Sequence, residues 1–439
     1  MTPVQVIGAG LAGCEAAWAL ANAGIPVTLW EMKPQRYSPA HHSPLFAELV
    51  CSNSLKAQRL GSAAGMLKEE MRLMGSLVVD CALQTSVAAG GALAVDREAF
   101  SQLVTRRIRS HPLIRISLGE VERIPEEGET VIATGPLTSD TLAEGIQALC
   151  GKSLAFYDAA APIVTADSLD YDKVFFAARY GRGEDDYINC PFTREEYEAF
   201  YQALREAEPA QLHDFDRREP AVYEGCMPIE IMARRGEDTI RYGPLKPVGL
   251  RDPRTGHRPW AVVQLRRENQ AGSLYNLVGF QTNLKFGEQK RVFSMIPGLE
   301  HAEFVRYGVM HRNTFLDSPR LLRADFSMHA RPNLRFAGQI TGVEGYVESA
   351  MSGIVAGLQL ARKLKGQEPL QLPLDSMSGA LCAYISDKTV TQFQPMGCNM
   401  GLLPPLEELV KDKQRRYQML AERGIAHLRD CLKQGGYAL

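Results

Sequence analysis

A chain of 439 residues, 45% hydrophobic and 23% charged, is long enough for two or three domains and has an ordinary soluble composition. Its net charge of −2 excludes a global basic field, so any nucleic-acid surface must be local. Nine cysteines, odd in number and without a C-x-x-C pair, argue against a disulfide framework or zinc cage and for a reducing, cytoplasmic setting.

No apolar run approaches the ~18 residues of a membrane span, and a strand beginning by Val4 leaves no space for a targeting segment. That strand, Val4–Ile7, opens a strand–turn–helix–strand unit. The turn is Gly8-Ala9-Gly10-Leu11-Ala12-Gly13, the helix runs to about Ala23, and the second strand, Val27–Trp30, ends at Glu31. Gly8 permits the tight turn, Gly10 the approach of backbone to a pyrophosphate, and Gly13 the packing of helix on strand. The free N–H groups of the helix then face the phosphates. Glu31 is placed to accept from a ribose 2′-OH and to repel a 2′-phosphate, so FAD or NAD is expected rather than NADP. Lys33 and Arg36 follow in a solvated stretch that could also cover an adenine. His41 and His42 have no partners at metal spacing, so no metal is expected.

The next stretch, "LVCSNSLK" (49–56), sets Cys51 among Ser52, Asn53 and Ser54 rather than in an apolar core. A following helical pattern and Lys56 would both favour its thiolate. The other reading is an inert small residue in a turn. "DREAFSQLVTRRI" (96–108) is a helix, and "VIATG" (131–135) is a strand running into Gly135.

Residues 181–324 carry their own elements and are expected to form an α/β insertion in a domain built from 1–180 and 325–439. They include a helix at 193–208 and strands at "WAVVQL" and "LYNLVGF". Between Ile231 and Ala330 there are 16 Lys and Arg against 9 Asp and Glu. Arg251, Arg254, Arg258, Arg266 and Arg267 lie near Trp260 and Tyr275, which suits a phosphate backbone with an unstacked base, or else a solvated surface with scattered ion pairs. Cys226 sits in a constrained turn, "YEGCMPIE", and from the residues alone is structural.

The last informative segment, 334–364, is a strand (Leu334–Ala337), a turn through Gly338, Gln339, Gly342 and Gly345, and a long helix starting at Tyr346. In glutathione-reductase-type flavoproteins such a helix directs its positive N-terminus at the flavin. With the opening unit and "VIATG", this points to FAD. Tyr346 either stacks on a bound ring or packs in the core. The basic stretch 411–434 is amphipathic, in keeping with a packed terminal helix.

Together, "VIGAGLAGCEAAWALANAGIPVTLWEMKP", "ELVCSNSLK", "YEGCMPIE" and "FAGQITGVEGYVESAMSG" resemble the bacterial folate- and FAD-dependent tRNA (uracil-5-)-methyltransferases, end to end. The glycine-rich segments alone are shared with a longer flavoprotein that modifies the wobble uridine, which lacks the "CSNSLK" pattern. The resemblance implies a discontinuous glutathione-reductase-type Rossmann FAD domain and methylation at C5 of a uridine in the T loop of tRNA. The carbon would come from 5,10-methylenetetrahydrofolate and the electrons from reduced FAD, replenished by NADH or NADPH. It also implies that Cys51 and Cys226 share the roles of nucleophile and general base. Which takes which stays open, as does the oligomeric state. Three alternatives remain at this point: the same chemistry on a ribosomal RNA uridine, a flavin oxidoreductase acting on a small molecule, and a tRNA-binding flavoprotein without catalysis.

Overall fold

The computed structural model describes residues 2–151, 154–159, 161–181, 185–210, 227–308, 310–391 and 393–437. Cys226, one of the two expected reactive thiols, lies outside them.

The opening unit folds as its pattern predicts: β1 (Val4–Ile7), α1 (Leu11–Asn22) and β2 (Val27–Glu31). β1 is the middle strand of a five-stranded parallel sheet. On one side lie β2 and Ile114–Leu118; on the other lie Thr130–Ile132 and then Leu334–Phe336. Two segments some 200 residues apart in the chain therefore sit next to the glycine turn with their carboxyl ends together, the place where open parallel sheets hold ligands.

Backbone contact sets the position of the long helix Tyr346–Leu364. It packs on α1 through small residues, Ala12, Ala16 and Ala19 facing Gly353 and Gly357. A Cβ added at Gly353 would lie 2.1 Å from the Ala12 carbonyl oxygen. No side-chain rearrangement relieves a clash with backbone. We therefore expect Gly353→Ala to lower stability by about 1–3 kcal/mol through overpacking and to reduce retained flavin. A melting curve and flavin content check this; wild-type values for both would contradict it.

A second, six-stranded antiparallel sheet has the order Phe175–Phe176, Tyr187–Phe192, Ala261–Arg267, Leu274–Leu277, Ile163–Thr165, Phe304–Arg306. The predicted helix of this region is Arg194–Glu206, started by a capping box between Thr193 and Glu196. It buries Tyr197, Phe200 and Leu204 against Ile188, Cys190, Val263 and Leu265, a core separate from that of the parallel sheet. Strands 163–165 and 175–176 belong to this sheet, so we place the start of the inserted unit ahead of residue 163 rather than at 181.

The other departure concerns the stretch after Cys51. Ser54–Ala57 is a strand, not the start of a helix, with Lys56 at φ +63°. The helix begins only at Ala63, where the Ser62 side chain caps the free N–H of Gly65. The basic C-terminal stretch is a packed helix, Lys413–Gln434, burying Leu420, Ala421, Gly424, Ile425, Leu428 and Leu432. No helix among the described residues is long and apolar enough to cross a membrane.

Candidate active site

The carboxyl ends of the parallel strands open onto a cavity of about 480 Å³, within the range of small-molecule and cofactor sites. Glu31 and Lys33 line one end, residues 8–12 the middle, with Thr134 and Gly135 beside them, and Gly338, Gln339, Gly345 and Tyr346 the other end with Cys51.

The three glycines of the turn do different work. A Cβ at Gly8, where φ is +99°, would meet the Ala133 carbonyl oxygen at 2.7 Å, and one at Gly13 would meet the Gly8 oxygen at 1.8 Å. Both are demanded by protein packing. At Gly10 a Cβ would meet nothing within 4 Å; its missing side chain leaves space on the cavity side for a phosphate. Glu31, at the end of β2, accepts from Ala9 N–H (3.1 Å) and Lys33 N–H (2.9 Å), which fixes its carboxylate at the turn. Lys33 is buried and donates to Leu45 O, whereas Arg36 pairs with Glu120 on the surface. Gly342 does not line the cavity. Its φ is +83°, and a Cβ there would collide with the Phe393 ring at 2.4 Å, so its absence of a side chain serves packing rather than a cofactor. The residues present thus fit FAD: Glu31 would hold its ribose, the glycine turn its pyrophosphate, and the N-terminus of helix Tyr346–Leu364 would face its ring.

Cys51 lies where that helix begins. The Tyr346 hydroxyl oxygen accepts N–H bonds from Cys51 (2.7 Å) and Ser52 (3.3 Å) and lies 3.0 Å from Cys51 Sγ. Burial, reinforced by the negative charge a Cys51 thiolate would carry, pushes the Tyr346 phenol well above its ordinary range, against the pull of Arg97. The phenol therefore keeps its proton and is in hydrogen-bond contact with the sulfur, where either atom can donate.

Lys56, expected to assist the thiol, is engaged elsewhere. Its ammonium pairs with the fully buried Glu348 at 2.6 Å. Although burial works against the charged amine, that carboxylate raises its pKa overall. Among the described residues, the charges of Arg97 and Arg306 act on Cys51. Arg97 donates to Leu49 O (2.8 Å) and Val50 O (3.0 Å) and forms a two-pronged pair with Glu268 (2.7 and 3.3 Å).

The inserted sheet holds the Cys51 loop from the other side. Arg266 is buried and donates to Asn53 Oδ1 (2.9 Å) and Ser52 Oγ (2.8 Å), while Asn53 donates to the Arg267 carbonyl (2.8 Å). This removes Arg266 from the expected RNA face: a guanidinium sealed against its own protein cannot reach a phosphate. Arg267 is half-buried beside it. Arg254 is held by both oxygens of Asp252 and by Asp172 O. The indole of Trp260 lies under Arg241, 3.7 Å from the ring centroid. Arg251 and Arg258 are exposed and line a shallow depression with His257. The cluster expected from sequence is thus divided between interior and surface.

Sequence reasoning passed over Arg97, Glu268 and Arg306. Arg97 and Glu268 are 171 positions apart, and nothing local in either stretch announces the pairing.

A family model described as "Glucose inhibited division protein A" matches residues 3–368. The chain is 57% identical to the methylenetetrahydrofolate–tRNA-(uracil-5-)-methyltransferase TrmFO of Desulfitobacterium hafniense strain Y51 over 431 residues, 98% of each chain. It is 59% identical to the Geobacter sulfurreducens protein of that name over 426 residues, 97% of this chain and 98% of the other. Among solved structures, Aquifex aeolicus GidA in its form II crystal superposes with a TM-score of 0.69 at 18% identity, covering 98% of this chain and 75% of that one, a likeness of fold. With this identity along nearly its whole length, the chain belongs to the methylenetetrahydrofolate–tRNA-(uracil-5-)-methyltransferase TrmFO family.

Proposed function

We propose that this protein forms 5-methyluridine in the T loop of tRNA, taking the carbon from 5,10-methylenetetrahydrofolate. The observation that carries the reading is Cys51 Sγ beside the Tyr346 hydroxyl in the cavity that the glycine turn and Glu31 also line. Bound there, FAD supplies the reducing equivalents that bring the transferred carbon to the methyl level, with NADH or NADPH as the source.

The protein's share of the chemistry follows from the pyrimidine. Uracil C5 is a poor nucleophile; a thiolate adding at C6 turns the ring into an enolate and makes C5 reactive. Once carbon is attached, a base must take the C5 proton so that the sulfur can leave. Cys51 is poised for one of these roles by the Tyr346 O–H and by the positive charge of Arg97, and we assign the other to Cys226. Helix Tyr346–Leu364 sets its N-terminus against the ring site, and the Arg97 and Arg266 contacts fix the loop that carries the sulfur.

Incubation with ring-unlabelled, methylene-labelled folate, NADH and a tRNA transcript tests this. Label should enter a T-loop uridine of tRNA, and none should come from S-adenosylmethionine. Label from the latter, or uptake by a ribosomal RNA fragment and not by tRNA, would count against the assignment.

A further inference from the structure

Among the described residues that line the cavity, Gln281 is the one that comes from the antiparallel unit. The chain reaches it by leaving strand Leu274–Leu277. Val278 N–H still donates to Gln264 O (2.9 Å), and the backbone turns at Gly279, where φ is +80°. On either side of Gln281 the chain is held in that unit. Phe280 packs in its core, and the Thr282 hydroxyl (2.9 Å) and Asn283 N–H (2.7 Å) donate to the buried carboxylate of Glu230. Gln281 itself is half-buried, and its carboxamide forms no hydrogen bond with any described residue. An acceptor and two donors left unused in a partly dehydrated wall gain from a ligand that completes them.

Two connections tie Gln281 to the reactive sulfurs. Its unit holds the Cys51 loop, through Arg266 on Ser52 and Asn53 and through Asn53 on the Arg267 carbonyl, and Cys51 and Ser52 share the cavity wall with Gln281. The Gln281 carbonyl accepts from Ile229 N–H (2.8 Å), and Ile229 stands three positions after Cys226 in the chain. The residue is thus anchored to the segment that follows one thiol and lines the cavity that contains the other.

The reaction calls for a group of this kind. A uridine acted on at C5 and C6 has to leave its stack and be held by its edge. That edge sets N3–H, a donor, beside O4, an acceptor, which is the complement of a carboxamide. Addition of sulfur at C6 forms the S–C6 bond and moves the C5–C6 π pair through C5 toward O4, so negative charge gathers on that oxygen. A fixed N–H donor at such an oxygen counts for most once the charge has formed.

We propose that the Gln281 carboxamide holds the target uracil, Oε1 accepting from N3–H and Nε2 donating to O4, and so stabilises the enolate formed when the thiolate adds. This rests on the function proposed above. The pterin of the folate and the flavin ring carry similar edges; the anchor on the segment after Cys226 favours the uracil.

The test compares FAD-loaded Gln281→Ala and Gln281→Glu with the wild type on a tRNA transcript and labelled methylenetetrahydrofolate. Both substitutions should lower kcat for 5-methyluridine formation about 100-fold. Flavin content, flavin absorption spectrum, folate KM and tRNA affinity should be unchanged. The two variants should part with pH. The carboxyl of Gln281→Glu regains a donor on protonation, so its deficit relative to wild type should shrink as pH falls, while that of Gln281→Ala stays constant. Wild-type kcat in Gln281→Ala would overturn the proposal. So would a raised folate KM at unchanged kcat, which gives the carboxamide to the pterin, or an altered flavin spectrum or flavin loss in both variants, which gives it to the flavin. Deficits that stay equal at every pH would make the residue structural. Should Gln281→Ala fail to fold, Gln281→Glu, of the same size, decides through its pH profile. A wild-type enzyme that transfers no label to tRNA would count against the underlying function instead.

Discussion

Cys51→Ala is expected to fold, retain FAD and bind tRNA as the wild type does, yet to form 5-methyluridine at least about 100-fold more slowly. The substitution removes one sulfur from the cavity wall and disturbs little else. The two N–H groups that the Tyr346 oxygen accepts belong to the backbone of residues 51 and 52 and persist. What is lost is the group able to add to C6 or take the C5 proton. Cys431→Ala is the matched control. That thiol donates to Gln371 O at the C-terminal helix and faces none of the cavity residues, so turnover should be unchanged. Turnover of Cys51→Ala within a few-fold of wild type would remove Cys51 from the chemistry. RNA affinity lost together with turnover would make it a structural residue.

The second large effect is expected at Arg97. Its guanidinium joins the buried carboxylate of Glu268, 3% exposed, to the carbonyls of Leu49 and Val50. Arg97→Met leaves that carboxylate without its two-pronged partner, which should cost about 3–5 kcal/mol in denaturant unfolding. The pair also ties the inserted sheet to the loop that carries Cys51. Stability and activity should therefore separate in the double variant. Arg97→Met with Glu268→Met places apolar groups on both sides and should regain most of the lost stability, since a buried pair replaced by apolar side chains is often neutral. The loop tether is still gone, so turnover should stay low. A loss below about 1 kcal/mol in Arg97→Met would mean that water reaches the pair. Full recovery of turnover in the double variant would mean that the carbonyl contacts do not position the sulfur.

The parts of this site legible in the sequence are those encoded locally. The glycine turn, the acid at the end of β2 and the small-residue helix are each short patterns whose geometry follows from backbone sterics, and the structure assembles them as expected. Gly342 misled because a left-handed turn residue looks the same in sequence whether it makes room for a cofactor or for Phe393. Lys56 misled for a related reason. Proximity along the chain suggested a partner for Cys51, but the backbone turns at Lys56, where φ is +63°, and Glu348, 292 positions later, takes the ammonium. The arginines show the limit most plainly. Arg254, Arg258 and Arg266 are alike in composition, yet Arg254 is tied to Asp252, Arg258 is in solvent, and Arg266 is buried against Asn53. Those fates depend on contacts that only the tertiary fold creates.

The most direct measurement is a single turnover with enzyme that has been loaded with FAD and reduced, mixed with labelled methylenetetrahydrofolate and tRNA, and quenched for nucleoside mass analysis. Wild-type enzyme should yield one labelled 5-methyluridine per active site and Cys51→Ala none, with flavin content equal in the two. Labelled 5-methyluridine from the Cys51→Ala enzyme, or from wild-type enzyme stripped of flavin, would contradict a methyl transfer centred on this sulfur and this cavity.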